Sequence, residues 1–146
     1  MNFNQRHILI TGGAGFFGSF LTEEMLKLGA QVTIFDLFLQ GRSRIEHVSN
    51  HPSLKIIQGD LLTYPEVLKA MEGIDFVWHL ASNTDIPLGL RDTRVDLNHG
   101  VIATHHVLEA MRAKRVRQMM FPSSGAIYGE KLTGFRSEAL GPTLPI

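Results

Sequence analysis

The stretch Ile8-Leu-Ile-Thr-Gly-Gly-Ala-Gly-Phe-Phe-Gly-Ser19 decides the fold. Three apolar residues end in Thr11, and glycines follow at 12, 13, 15 and 18. The run Phe20-Leu21…Met25-Leu26…Leu28 comes next and closes at Gly29. This is an apolar strand, a tight glycine turn and an amphipathic helix. A turn without Cβ atoms lets backbone N–H groups approach a pyrophosphate, and the N-terminus of the following helix attracts the same charge. The spacing Gly12-x-x-Gly15-x-x-Gly18 departs from G-x-G-x-x-G, although Gly13-x-Gly15-x-x-Gly18 meets it. A helix-opening loop with surplus glycine would use the same residues. The strand before the turn and the acid ending the next strand favour a dinucleotide site.

Outward from this unit, apolar strands and helical stretches alternate. Gln31–Asp36 reads as a second strand, Leu37–Gly41 as a loop and Ser43–Val48 as a short helix. Leu54–Gln58 is a third strand and Tyr64–Met71 a helix, with Pro65 suited to its first turn. Phe76–Ala81 is a buried fourth strand. Thr93–Lys114 is the longest helical pattern, with Val101, Thr104, Leu108 and Met111 along one face. Arg117–Phe121 is a fifth strand, and loop residues prevail from Gly129 onward. The alternation predicts an α/β fold, a doubly wound, mostly parallel sheet with helices on both faces. Such sheets bind ligands at the carboxyl ends of their strands. Gly12–Gly18, Asp36, Asp60, Ala81-Ser82 and Ser123-Ser124 all fall at those ends.

At 146 residues the chain fits one domain with a sizeable core, and 44% hydrophobic content argues against disorder. Fourteen basic and 14 acidic residues balance, so charge makes no case for nucleic acid or an anionic membrane as partner. The apolar run Ile8–Ile10 is too short for a signal peptide or membrane span. A cytoplasmic location is the default expectation. With no cysteine there is neither a disulfide nor a thiolate metal site. His105 and His106 point about 100° apart on a helix and cannot chelate one ion. No His-Glu-x-x-His occurs, and His79 in its apolar strand reads as a packed, hydrogen-bonded residue. No metal is expected.

Asp36 is placed to accept hydrogen bonds from an adenosine ribose and to repel a 2′-phosphate, which selects NAD over NADP. A loop acid capping the next helix is the alternative, and Arg42 nearby leaves NADP open. Asp60 is within reach of the adenine edge, though its spacing equally suits an ordinary turn acid. Ser124 leaves the fifth strand near where a nicotinamide would lie. Gly-x-Ser-x-Gly is absent, so its hydroxyl is read as orienting a substrate rather than attacking it.

Together these residues resemble the extended short-chain dehydrogenase/reductases, in particular the NAD-dependent epimerase/dehydratase family acting on nucleotide sugars. The resemblance rests on Thr11-Gly-Gly-Ala-Gly-Phe-Phe-Gly18, Asp36 with Gly41-Arg42, and Gly59-Asp60-Leu61. It rests equally on His79-Leu-Ala-Ser82, Val107-Leu-Glu-Ala110 and Ser123-Ser-Gly-Ala-Ile-Tyr-Gly129. It implies a Rossmann fold in which Gly12, Gly15, Phe16, Phe17 and Gly18 form the phosphate turn. Asp36 would take the ribose, Asp60 and Leu61 the adenine, and Leu80, Ala81 and Ser82 the cofactor's middle. Ser124 would be the catalytic hydroxyl.

Three departures qualify what the resemblance implies. Gly100 stands where the family often has Asn. Ser124-Gly125-Ala126 replaces the Thr/Ser-x-Glu of dehydratases and sugar-acid decarboxylases, which favours epimerase or simple 4-keto redox chemistry, since alanine is no general acid. The family's Tyr-x-x-x-Lys is missing: Tyr128 is followed by Lys131 and Leu132, and the chain stops at Gly141-Pro-Thr-Leu-Pro-Ile146. The expectation is therefore an NAD-binding domain over residues 1–146, incomplete and inactive alone, from an enzyme acting on a nucleotide sugar. A non-catalytic NAD-binding or regulatory module is the rival. Homodimerisation through the 93–114 helix is a further expectation.

Overall fold

The computed structural model describes residues 2–39, 41–124 and 128. Five strands form one parallel sheet: β1 (His7–Thr11), β2 (Gln31–Asp36), β3 (Leu54–Gln58), β4 (Phe76–His79) and β5 (Met119–Met120). Their order is β3-β2-β1-β4-β5, and every neighbouring pair is parallel. The chain winds outward from β1 through β2 to β3, then crosses to β4 on β1's other side. The order reverses between β1 and β4, where a doubly wound sheet opens its ligand crevice.

Period-two alternation sends successive side chains of each strand to opposite faces. Ile8, Ile10, Val32, Ile34 and Phe76 face α1 (Phe16–Lys27), whose Met25 and Leu26 join them, as does Ile45 of the 3₁₀ turn Ser43–Val48. Leu9, Phe35 and Val77 face the other way, toward α2 (Tyr64–Ala70) and α5 (Ala103–Lys114). That face is sealed by Val67, Ala70 and Met71 with Ala103, Val107, Ala110 and Met111. Both faces are thus covered.

The expected strand bounds hold for β2 and β3 to the residue, whereas β4 stops at His79 and β5 is reduced to two residues. The expected 93–114 helix is three consecutive pieces: α4 (Thr93–Asp96), a π-helical segment Leu97–Ile102, and α5. Its expected apolar face is corrected as well. Of that face Met111 is buried and Thr104 half-buried, whereas Val101 and Leu108 are exposed, and Ala103, Val107 and Ala110 are buried beside Met111. Ala103, Val107, Ala110 and Met111 fill the space against α2 and the sheet, which leaves Val101 and Leu108 on the outer side. A helix that the periodicity did not reveal, α3 (Ile86–Arg91), follows the β4 loop. Gly125, Ala126 and the 129–146 segment lie outside the described residues. Among the described residues no helix is long and apolar enough to cross a membrane.

Candidate functional site: the crevice at the β1–β4 switch point

The glycine turn is built by close approaches. Gly12 has φ +69°, and a Cβ there would stand 2.8 Å from the Ala81 nitrogen, so the end of β4 passes directly against it. A Cβ on Gly18 would run into the Gly12 carbonyl oxygen and stand 2.7 Å from Gly13 Cα. Turn, helix and neighbouring strand therefore pack backbone to backbone. The Gly15 N–H donates to the Gly12 carbonyl at 3.1 Å, and α1 begins at the next residue. No side chain caps α1, and its first turn holds no acid. Its leading N–H groups and positive dipole end remain available to an anion.

Asp36 braces the rim of the turn. Its Oδ2 accepts from the Ala14 N–H at 3.0 Å and its Oδ1 from the Phe38 N–H at 2.8 Å. A carboxylate offers about four lone pairs, so each oxygen keeps one for a further donor. Phe38 adopts φ 58°, and the Arg42 guanidinium lies 4.4 Å from its ring centroid. On the far side of β2, the Asp60 N–H donates to Glu66 Oε2 at 3.0 Å, while Asp60 Oδ1 accepts from the Leu62 N–H at 2.9 Å. His106 Nδ1 sits 2.7 Å from the Leu61 carbonyl oxygen, so Nδ1 carries the proton and α5 ties this turn down.

A buried relay joins the turn to the helix beyond β4. The Leu80 and Ala81 N–H groups both donate to Thr11 Oγ1 at 3.2 Å. With its acceptor capacity occupied, the Thr11 hydroxyl donates to His79 Nδ1 at 2.7 Å. His79 Nε2 then donates to Thr104 Oγ1 at 3.0 Å, and Thr104 donates to the Gly100 carbonyl at 2.6 Å. Burial pushes the His79 imidazole down to about 4, consistent with this neutral tautomer. His79 is, as read from the sequence, a packed and hydrogen-bonded histidine.

These elements enclose a cavity of about 580 Å³. Of the residues singled out in the sequence, Gly12, Gly15, Phe16, Asp36, Asp60, Leu61, Leu80, Ala81 and Ser82 line it. Gly18 supports it from beneath, Phe17 is exposed beside it, and Ser124, exposed after β5, does not contribute to its wall. The wall also takes in Asn83, Asp85, Leu88, Val95 and His99, which the sequence reading did not single out. Asp85 and Pro87 are an N-cap and a first-turn proline, a start signal that would have revealed α3. Val95, His99 and Ala103 recur every fourth residue, a stripe the polar and small residues conceal.

A family model described as the NAD dependent epimerase/dehydratase family matches residues 8–145. The chain is 35% identical over 131 residues to UDP-glucuronic acid decarboxylase 1 of Danio rerio, covering 87% of this chain and 29% of that protein. The crystal structure of Thermus thermophilus UDP-glucose 4-epimerase in complex with NAD is 29% identical, with a TM-score of 0.81 over 94% of this chain and 44% of that one. Epimerase Mth375 from Methanothermobacter thermautotrophicus is 27% identical, with a TM-score of 0.85 over 99% of this chain and 43% of its own. The chain thus spans less than half the length of each of these proteins. By the match over nearly all its residues, it belongs to the NAD-dependent epimerase/dehydratase family.

Proposed function

We propose that residues 1–146 are the NAD-binding Rossmann domain of a nucleotide-sugar epimerase-type enzyme. The observation that carries this reading is the switch-point cavity. At one place it combines an uncapped helix N-terminus, a glycine cradle that a Cβ would fill, and a carboxylate with lone pairs to spare. The residues present therefore fit a dinucleotide. The Gly12–Gly18 turn, with Phe16 and Phe17, holds the pyrophosphate against α1. Asp36 accepts from the ribose hydroxyls and repels a 2′-phosphate. Asp60 and Leu61 flank the adenine, and Leu80, Ala81 and Ser82 line the middle of the site.

Bound NAD supplies a hydride acceptor, and donor, for the sugar's C4. Ser124 holds a substrate oxygen as the catalytic hydroxyl. A base is still required, and neither tyrosine in these 146 residues is followed by lysine four positions on: Leu68 follows Tyr64, and Leu132 follows Tyr128. These residues alone are thus expected to bind NAD without turnover. Transient C4 oxidation is preferred over dehydration or decarboxylation because Ala126 stands where those chemistries use Glu. The similarity to the Danio rerio decarboxylase favours the second reading, a sugar-acid decarboxylase of the same family.

Titration calorimetry tests the cofactor assignment. NAD is expected to bind more tightly than NADP, and Asp36→Ala is expected to weaken NAD on the order of tenfold or more, two charge-assisted hydrogen bonds being lost. The same change should narrow the NAD/NADP gap. Equal affinities for the two cofactors in the unaltered chain would overturn the assignment.

A further inference from the structure

Four titratable side chains line the cavity: Asp36, Asp60, Asp85 and His99. The three carboxylates are already held by backbone donors. Asp36 accepts from Ala14 and Phe38, Asp60 from Leu62, and Asp85 from Leu88 at 2.9 Å. His99 differs from them. Among the described residues its half-buried imidazole has no hydrogen bond, ion pair or ring contact. It nevertheless sits on a framed element. The π-helical segment Leu97–Ile102 that carries it is fastened at Gly100 by the Thr104 hydroxyl, and through His79 to Thr11 at the base of the glycine turn. π-Turns widen a helix by about one residue per turn and concentrate at functional sites. With Val95 and Ala103, His99 forms the helix-side wall of the cavity, on the β4 side and away from Asp36.

We propose that His99 is a ligand-contacting residue whose imidazole hydrogen-bonds the nicotinamide-side half of the bound dinucleotide. This rests on the reading of the cavity as an NAD site with adenosine at Asp36. The cavity runs from Asp36 and Gly41 across β1 to Asp85, Leu88 and His99, so adenosine at one end sends the second nucleotide to the other. That half carries ribose hydroxyls and a carboxamide, groups that both donate and accept. An imidazole offers two ring nitrogens for such partners, and both are unengaged here. The apolar neighbours Leu88, Val95 and Ala103 provide no competing partner.

Calorimetry of the 146-residue chain with NAD and, separately, with AMP tests the proposal, alongside circular dichroism to confirm folding. His99→Leu is expected to weaken NAD about three- to tenfold, the range for one hydrogen bond. AMP, confined to the Asp36 end, should keep its affinity within about twofold. His99→Gln, which retains a donor and an acceptor at similar length, should recover most of the NAD affinity. If His99→Leu leaves NAD unchanged, or weakens NAD and AMP alike, His99 is a packing residue and the proposal fails. If the unaltered chain binds neither ligand, the reading of the site as an NAD cavity fails first, and His99's role with it.

Discussion

The relay through His79 ties the site's geometry to proton concentration. The imidazole is 1% exposed, and burial pushes it from the ordinary 6.5 down to about 4. Protonation would place a second donor at Nδ1, where the Thr11 hydroxyl already donates, and would charge a group shielded from water. Between these two pH values the unfolded chain binds a proton that the folded chain refuses. Stability from this residue is therefore fully present above about pH 6.5 and declines as pH falls toward 4, by about 3 kcal/mol at the limit. Urea midpoints followed by the fluorescence of Trp78 should fall steadily from pH 7 to 4.5. His79→Gln should be less stable at neutral pH yet nearly flat over that interval. A flat midpoint in the unaltered chain would show that His79 titrates normally. Asp92 and Glu109, lowered by hydrogen bonds from Arg94 and Arg112, make their losses only at lower pH and on the exposed surface, so they do not blur the window. The sequence shows His79 as a buried polar residue in a strand, but not its partners. Thr11 and Thr104 meet it only because β1 and α5 flank β4.

Secondary elements follow the same division. The strands and α1 are legible because short, continuous apolar runs and a glycine turn impose them locally. β2 and β3 match to the residue for that reason. The helical region beyond β4 is not legible, because its shape is set by contacts between elements. Gly89 reads as a helix breaker, yet it sits inside α3, where the Asp96 carboxylate of α4 packs over its missing Cβ. Gly100 is the converse case. A Cβ there meets nothing within 4 Å, its φ is ordinary, and its carbonyl accepts from the Thr104 hydroxyl. Glycine at such a position raises the entropy of the unfolded chain with no return in the folded one. Gly100→Ala is thus expected to stabilise the protein by about 0.5–1 kcal/mol, seen as a higher thermal midpoint with unchanged far-UV circular dichroism. A lower midpoint would mean that the π-helical segment depends on glycine itself.

For the whole molecule, the sheet is covered on both faces, and Val77 in its middle is fully buried under α5. Met120 and Phe121 at the β5 edge stay exposed, and a further apolar group lies on the helices beyond β4. Leu97, Val101 and Leu108 are 51%, 60% and 46% exposed, and Ile86 and Leu90 of α3 are barer still. Val101 and Leu108 belong to the stripe read from the sequence along one face of this helix, and both lie on its exposed side. Large side chains on the outer side of a helix whose inner side is already filled by Ala103, Val107, Ala110 and Met111 suit a helix–helix contact outside the fold. A two-fold axis across this helix would place the same residues of two copies against each other, the simplest closed arrangement for one repeated patch. The chain is accordingly expected to show twice its 16.3 kDa mass by light scattering at tens of micromolar. Val101→Glu with Leu108→Glu should yield the monomer, because two carboxylates on each copy would be buried unpaired at the contact. Neither residue lines the cavity, so NAD affinity should be the same in both forms. A monomer in the unaltered chain, or a dimer that survives both substitutions, would remove the outer face of this helix from the assembly. A dimer lost together with NAD binding would instead indicate that the substitutions disturb the helix and, through Thr104 and His79, the glycine turn.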